Sequence, residues 1–233
     1  MTLGTPHTHT RVLASTNDRA RELASAGAPH GTLVTADAQT AGRGRQGRSW
    51  EAPAGSSLLL SMVLRDPPEL LPLAGGLAVA RTVGPLARIK WPNDVLLPAA
   101  PGEPATRKVA GILAEGRPQD GWAVLGIGLN VAVRLEDLPP ELQGTAATLG
   151  LAPEDRAALL ERLLSELDEA LSLGTGELLA AYRERDALLG SEVSWSGGTG
   201  IAAGIDGSGR LVLELPGGGR TALDAGEVHL RAG

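Results

Sequence analysis

Lysine and asparagine are scarce in this chain: Lys90 and Lys108 are the only lysines, and Asn17, Asn93 and Asn130 the only asparagines. Where Arg, Ala and Gly dominate, a Lys or Asn points to chemistry that Arg or Asp cannot perform, since an ammonium is a compact point charge and a guanidinium a planar fork. The run Gly42-Arg43-Gly44-Arg45-Gln46-Gly47-Arg48 sets three arginines among glycines. Glycine lets backbone N–H groups approach a ligand, and arginine forks match phosphate and carboxylate oxygens. Such a loop suits a polyphosphate or an adenylate; a solvated basic loop or an RNA contact is the plainer alternative. The spacing also fits the dinucleotide fingerprint G-x-G-x-x-G, but that motif must open a helix. Residues 49–57 instead contain Pro53 and Gly55 and lead into a strand.

Lys90-Trp91-Pro92-Asn93-Asp94 sets a carboxylate beside an amide in a tight turn. One carboxylate plus substrate phosphates is a common way to hold Mg²⁺; an ordinary Asx-type turn with Trp91 as core filler competes with that reading. Lys108 opens an apolar strand, where its stem can pack on the sheet while the ammonium reaches an anion. Gly126-Ile127-Gly128-Leu129-Asn130-Val131 brings two glycines and an asparagine onto another strand, and glycines there allow close ligand or backbone approach.

Composition narrows the field. The chain has 233 residues, no cysteine and a net charge of −6. A disulfide framework, a zinc-finger site and a catalytic thiol are excluded. An acidic balance argues against a general nucleic-acid coat. No apolar run is long enough to span a bilayer, and the start MTLGTPHTHT does not read as a signal peptide, so a cytoplasmic protein is expected. His7, His9, His30 and His229 show no ligand spacing for a metal, with His7 and His9 read in a flexible start.

The elements that must position these residues follow from periodicity. Residues 1–10 read as a loose terminus or an edge strand. Ser15-Thr16-Asn17 offers N-cap chemistry to a helix with Ala20, Leu23 and Ala24 on one face, ended by Gly27. Strands are expected over Thr32–Ala36, Ser56–Arg65, Ile89–Trp91, Val95–Leu97, Lys108–Glu115 and Trp122–Val131. Helices are expected over Leu70–Val83, Pro153–Leu173 and Glu177–Leu189, and 98–106 is a proline-rich connector. Composition breaks at Gly190, after which short strands alternate with glycine-rich turns. The reading is an α+β body over residues 1–187, a mixed β-sheet flanked by helices, and a small C-terminal SH3-like β-barrel over 188–233.

In order along the chain, Ser15-Thr16-Asn17, the 36–50 segment ADAQTAGRGRQGRSW, KWPND at 90–94, KVAGILAE at 108–115, GIGLNV at 126–131 and GEVHLR at 226–231 resemble the biotin protein ligases, the biotin–[acetyl-CoA-carboxylase] ligases. The connector 98–106 is longer than usual there, and Thr145-Ala146-Ala147-Thr148-Leu149 only approximates the family's threonine–serine–leucine stretch. With the first motif at Ser15, the resemblance is to the monofunctional type without an N-terminal DNA-binding domain.

The resemblance implies a class II synthetase-like catalytic fold and a two-step reaction with biotin and ATP as substrates and Mg²⁺ as cofactor. Biotin is activated as biotinyl-5′-adenylate and passed to a lysine of a biotin carboxyl carrier protein domain. It implies catalytic roles for Lys108, Arg45 and Lys90. Biotin would be bound by Ser15, Thr16, Asn17, Gln39, Gly42, Arg43, Lys108 and Gly111. The nucleotide would be held by Arg43, Arg45, Arg48, Trp50, Lys90, Asn93, Asn130, Glu227 and Arg231, with Mg²⁺ near Asp94. No DNA and no membrane partner is expected, and a homodimer is left open. A lipoate ligase or octanoyltransferase shares the body fold but lacks the GRGRxGR and KWPND pair; a non-catalytic RNA- or ribosome-binding protein is the reading from another class.

Overall fold

The computed structural model describes residues 3–99, 106–117, 120–224 and 228–230. Most of the connector 98–106, together with Glu227 and Arg231, lies outside the described residues. The body is a mixed seven-stranded sheet in the order β1-β2-β3-β7-β6-β5-β4. Its strands are β1 (His7–Leu13), β2 (Leu33–Gln39), β3 (Ser57–Arg65), β4 (Arg88–Lys90), β5 (Asp94–Pro98), β6 (Thr106–Arg117) and β7 (Trp122–Asn130). Only the β1–β2 ladder is parallel. His7 and His9, expected in a flexible start, stand on edge strand β1, and both ring nitrogens bond the Thr35 hydroxyl, at 2.8 and 2.9 Å.

β3 is apolar along its length because both sheet faces are covered, and period-2 alternation assigns each residue a side. Leu58, Leu60, Met62 and Leu64 join the main core, whose helices are α2 (Leu71–Val83), α4 (Arg156–Ser172) and α5 (Thr175–Arg183), the short α3 (Pro140–Gln143) lying between. Val63 instead packs with Ala20 and Ala24 of α1 (Thr16–Ser25), Val34, Trp122 and Val124 on the opposite face. Ser15 caps α1, its Oγ accepting from the Asp18 amide at 3.4 Å.

The helix expected over Glu177–Leu189 stops at Arg183. Past that point the backbone is taken by β4: the Ile89 amide donates to Arg185 O at 2.7 Å and the Ala187 amide to Ile89 O at 2.9 Å. The Arg185 guanidinium meanwhile caps the carbonyls of Ala80, Gly84 and Ala87 near the end of α2. These long-range bonds outweigh the leucine-rich helical pattern.

After Gly190 come β8 (Glu192–Trp195), β9 (Gly198–Ile205), β10 (Leu211–Glu214), β11 (Arg220–Leu223) and β12 (His229–Leu230), an antiparallel sheet in the order β11-β10-β9-β8-β12. Among the described residues this is a sheet with two ends, where a barrel was expected. Val193, Ala202, Ile205, Leu211, Leu213 and Val228 belong to the same buried cluster as Leu77 and Tyr182 of the body. Trp91 ties the two parts together, its Nε1 donating to Gly209 O at 3.0 Å from a fully packed position.

Candidate active site

On β7 the face that meets α1 reads Trp122, Val124, Gly126, Gly128. The bulky pair lies under α1, and the glycines continue beyond its N-terminus as an open floor. β6 supplies Gly111, paired with Gly128, and Leu113, paired with Gly126. A Cβ on Gly126 would stand 1.9 Å from Asn17 Oδ1, and one on Gly128 2.4 Å from Trp50 Cε2. The missing side chains are therefore the space in which Asn17 and the Trp50 indole lie. Trp50 Nε1 is buried without a protein acceptor, and a buried donor facing a pocket suits a ligand oxygen.

Lys108 reaches this floor because of a bulge. β5 and β6 pair Val95 with Ala110 but Leu96 with Lys108, so Val109 is an extra residue. Three positions apart in a regular strand, Lys108 and Gly111 would face opposite sides; the bulge returns Lys108 to the face of Gly111. Its Nζ lies 2.6 Å from Asp94 Oδ1 and 5.5 Å from the centre of the Trp50 ring. Thr145 O and the Ala147 amide bond its backbone on the other side. The 145–149 stretch thus meets Lys108 through main-chain atoms. Arg45 crosses from the glycine-rich loop to the tight turn, donating to Asn93 Oδ1 at 3.2 Å, while Asn93 Nδ2 donates to Ile112 O.

The opposite wall is a hydrogen-bonded cluster. Thr16 gives its amide and hydroxyl to Gln39 Oε1, at 2.7 and 3.0 Å. Ser61, fully buried on β3, has its Oγ 2.8 Å from Thr16 Oγ1 and 2.5 Å from Asn17 Oδ1. Arg43 lies between Asp18 and Glu115, at 2.7 and 2.8 Å. Its hydrogen bond to Asp18, with the added charge of Glu115, outweighs burial and raises the guanidinium pKa above its ordinary value.

One pocket is lined by Ser15, Thr16, Asn17, Gln39, Arg43, Arg45, Arg48, Trp50, Lys90, Asn93, Asp94, Lys108 and Gly111 among the residues singled out from the sequence. Gly42 does not line it; a Cβ there would stand 2.4 Å from Trp50 O, so it serves loop closure. Asn130 is not in the lining either. It is buried in the sheet, accepting from Ser57 Oγ at 3.3 Å and donating to Ala147 O at 2.9 Å. Each end of its amide thus has one protein partner, and through Ala147 it supports the segment beside Lys108. Among the described residues no three His, Cys, Asp or Glu side chains converge on a metal position. Asp94 offers one carboxylate, which faces Lys108. Ser61, Ile112, Ile127 and Val228 were not singled out from sequence; each is one residue in an apolar run or strand, with nothing in its spacing to mark it.

A cationic, glycine-floored pocket of this kind is equipped to bring two anions together, which is the task of an enzyme that activates a carboxylate. Residues 9–131 match the model of the biotin/lipoate A/B protein ligase family, and residues 190–231 that of the biotin protein ligase C terminal domain. The chain belongs to the biotin/lipoate A/B protein ligase family. It is 40% identical over 242 residues to a biotin–[acetyl-CoA-carboxylase] ligase of Mycobacterium tuberculosis, covering 93% of this chain and 86% of that one. To the bifunctional ligase/repressor BirA of Escherichia coli it is 36% identical over 247 residues, covering 95% of this chain and 73% of that protein. Among solved structures, the biotin protein ligase from Aquifex aeolicus in complex with biotin and ATP superposes with a TM-score of 0.80 at 28% identity. That match covers 98% of this chain and 100% of the other.

Proposed function

We propose that this chain is an ATP-dependent ligase that activates biotin as biotinyl-5′-adenylate and transfers it to one lysine of a carboxylase's biotin carrier domain. The observation that carries this reading is the Lys108 ammonium, bulged onto a glycine floor beside Asp94, with Arg45 bridging above it to Asn93. Joining a carboxylate to a phosphate opposes two negative charges, and preorganised cations are the main means of lowering that barrier.

In the first step a biotin carboxylate oxygen bonds to the α-phosphorus of ATP, the bond to the bridging oxygen breaks, and pyrophosphate leaves. Lys108 sits where its ammonium can span the carboxylate and the α-phosphate. Arg45, Arg48 and Lys90 offset the phosphate charge, with Asn93 and Trp50 on the nucleotide side. Asp94, with the substrate phosphates completing the set, would be the residue that holds Mg²⁺, which would supply further charge neutralisation there. Ser15, Thr16, Asn17, Gln39, Arg43 and Gly111 form the wall and floor for biotin. In the second step the carrier lysine, as a neutral amine, attacks the acyl carbon; the acyl–oxygen bond breaks, AMP leaves and the amine loses a proton. The closed loop excludes water from the acyl adenylate meanwhile. We place the reaction in the cytoplasm and, with the net charge of −6 opposing a phosphate backbone, without a DNA partner.

The test is pyrophosphate release from ATP with biotin, with lipoate, and with both. Release that depends on biotin and is little affected by lipoate supports the reading. Release driven by lipoate and not by biotin overturns it.

A further inference from the structure

The hydroxyls of Thr16 and Ser61 have fewer protons than they have oxygen neighbours, and their neighbours decide where those protons go. Asn17 Nδ2 donates to Glu115 Oε2 at 2.9 Å, and a carboxylate oxygen only accepts. That fixes the amide: Asn17 Oδ1 faces Ser61 Oγ at 2.5 Å and, having no proton, accepts from it. The single Ser61 proton is committed there. The 2.8 Å contact between Ser61 Oγ and Thr16 Oγ1 is therefore bridged only by the Thr16 proton. The other acceptor within reach of that proton is Gln39 Oε1 at 3.0 Å, which already takes the Thr16 amide at 2.7 Å. On either acceptor the proton points away from the pocket, so Thr16 offers a ligand lone pairs. Thr16 lines the pocket; Ser61 does not, and is fully buried on β3.

We propose that Ser61 is a positioning residue that sets specificity: it draws the Thr16 proton inward and makes Thr16 Oγ1 an acceptor for a ring N–H of biotin. The inference rests on reading this pocket as the biotin site. The hydrogen bonds then run one way, from the ligand N–H to Thr16 Oγ1, Ser61 Oγ and Asn17 Oδ1, and across the Asn17 amide to the Glu115 carboxylate. Bonds aligned head to tail polarise one another, so each strengthens the next. A chain that ends on a negative charge makes Thr16 a stronger acceptor than a hydroxyl standing alone. A ring oxygen in place of that N–H would meet Thr16 lone pair to lone pair. The links stand on α1, β3 and β6.

The test compares kcat/KM in pyrophosphate release for biotin and for its two cyclic carbamate analogues, in each of which oxygen replaces one ring N–H. Both analogues keep the ring size and the carboxylate that reacts. The parent should use at least one carbamate roughly 10- to 100-fold less well than biotin, the scale of one buried polar group left unpaired. In Ser61→Ala the Thr16 proton loses its inner acceptor and can turn into the pocket, towards a ring oxygen. Use of biotin should then fall about 10-fold, through KM, with kcat within about twofold. The disfavoured carbamate should lose less or gain, so that the preference for biotin shrinks. A wall that had merely loosened would weaken both ligands alike and leave their ratio where it was. Ser61→Cys, close to serine in size but a weak donor, should fall between. If Ser61→Ala does not fold at the assay temperature, Ser61→Cys carries the same comparison. A ratio equal to the parent's in the folded variant, or a parent that does not discriminate against either carbamate, overturns the role of Ser61. A parent that releases no pyrophosphate with biotin sinks the functional reading itself, and the relay with it.

Discussion

Lys108 owes its position to one extra residue in β6, and its role can be separated from its contribution to stability. The Lys108–Asp94 pair is partly exposed, with side chains 37% and 20% accessible, and such pairs are worth about 0–1 kcal/mol. Lys108→Ala should leave the melting temperature nearly unchanged and lower biotin-dependent pyrophosphate release by at least ~100-fold, the scale of losing one transition-state charge contact. Lys108→Arg should also be impaired, since a planar fork cannot occupy the place of a point charge against Trp50 and Asp94. Release at the parental rate from Lys108→Ala would remove this lysine from the chemistry. Gly128 makes the complementary case, because its contribution is an absent side chain. A Cβ there would stand 2.4 Å from Trp50 Cε2 and 2.7 Å from Trp50 Nε1. Gly128→Ala should push the indole off the sheet, shift tryptophan emission to the red and raise KM for ATP several-fold. Unchanged emission and KM would show that Trp50 does not use this floor.

Among the elements, the seam between β2 and α4 carries an acid-sensitive contact. Arg156 donates to Asp37 at 3.0 Å, and His9 stands 3.4 Å from the same carboxylate. Burial would raise the Asp37 pKa, but the hydrogen bond from Arg156 and the charges of His9 and Arg156 together hold it below the usual carboxylate range. A lowered folded-state pKa means that the unfolded chain binds its proton first as the pH drops. The stabilisation is therefore present above the unfolded value near 3.8 and is lost as the pH falls below it. Asp37→Asn should cost about 0–1 kcal/mol at neutral pH and make the acid limb of a pH–stability curve shallower. Identical acid limbs in urea denaturation would contradict the assignment.

The same scale shows what the sequence could reveal. Apolar runs such as Ser56–Arg65 and Trp122–Val131 marked strands within a residue or two, because both faces of each are covered and nothing competes with the pattern. The glycine-rich arginine loop and the 90–94 turn were legible for the same reason: rare residue types and turn formers crowd together there. Glu177–Leu189 misled because its leucines serve two structures, α5 and then the passage beside β4, and that division depends on Arg185 reaching carbonyls around the end of α2. The bulge at Val109 exists only in the β5–β6 register. Ser61, Asp18 and Glu115 acquire meaning only when two separate strands, a helix and the glycine-rich loop meet. Asn130, rare in the composition, supports the backbone beside Lys108 through Ala147.

Across the whole molecule the C-terminal sheet is coupled to the site through Trp91 and Val228. Trp91 lies in the same turn as Asn93 and Asp94 and donates to Gly209 O, and Val228 lines the pocket itself. Trp91→Phe keeps most of the ring volume and leaves the Gly209 carbonyl without its indole donor. An unsatisfied buried acceptor costs about 1–3 kcal/mol, which chemical denaturation of the full chain should register as a lower midpoint. An unchanged midpoint would mean that the packing of Leu70 and Leu73 against Gly209 holds the sheet without help. That one pocket both makes and holds a biotinyl adenylate for a carrier lysine has a direct test. The chain is incubated with biotin and ATP, freed of unbound small molecules, and then mixed with a purified biotin carrier domain in the absence of further ATP. Intact-mass analysis should show one biotinyl group appearing on the carrier's lysine, in near-stoichiometric yield with respect to enzyme, and AMP released in equal amount. A carrier left unmodified, although the chain has released pyrophosphate with biotin, would contradict the claim.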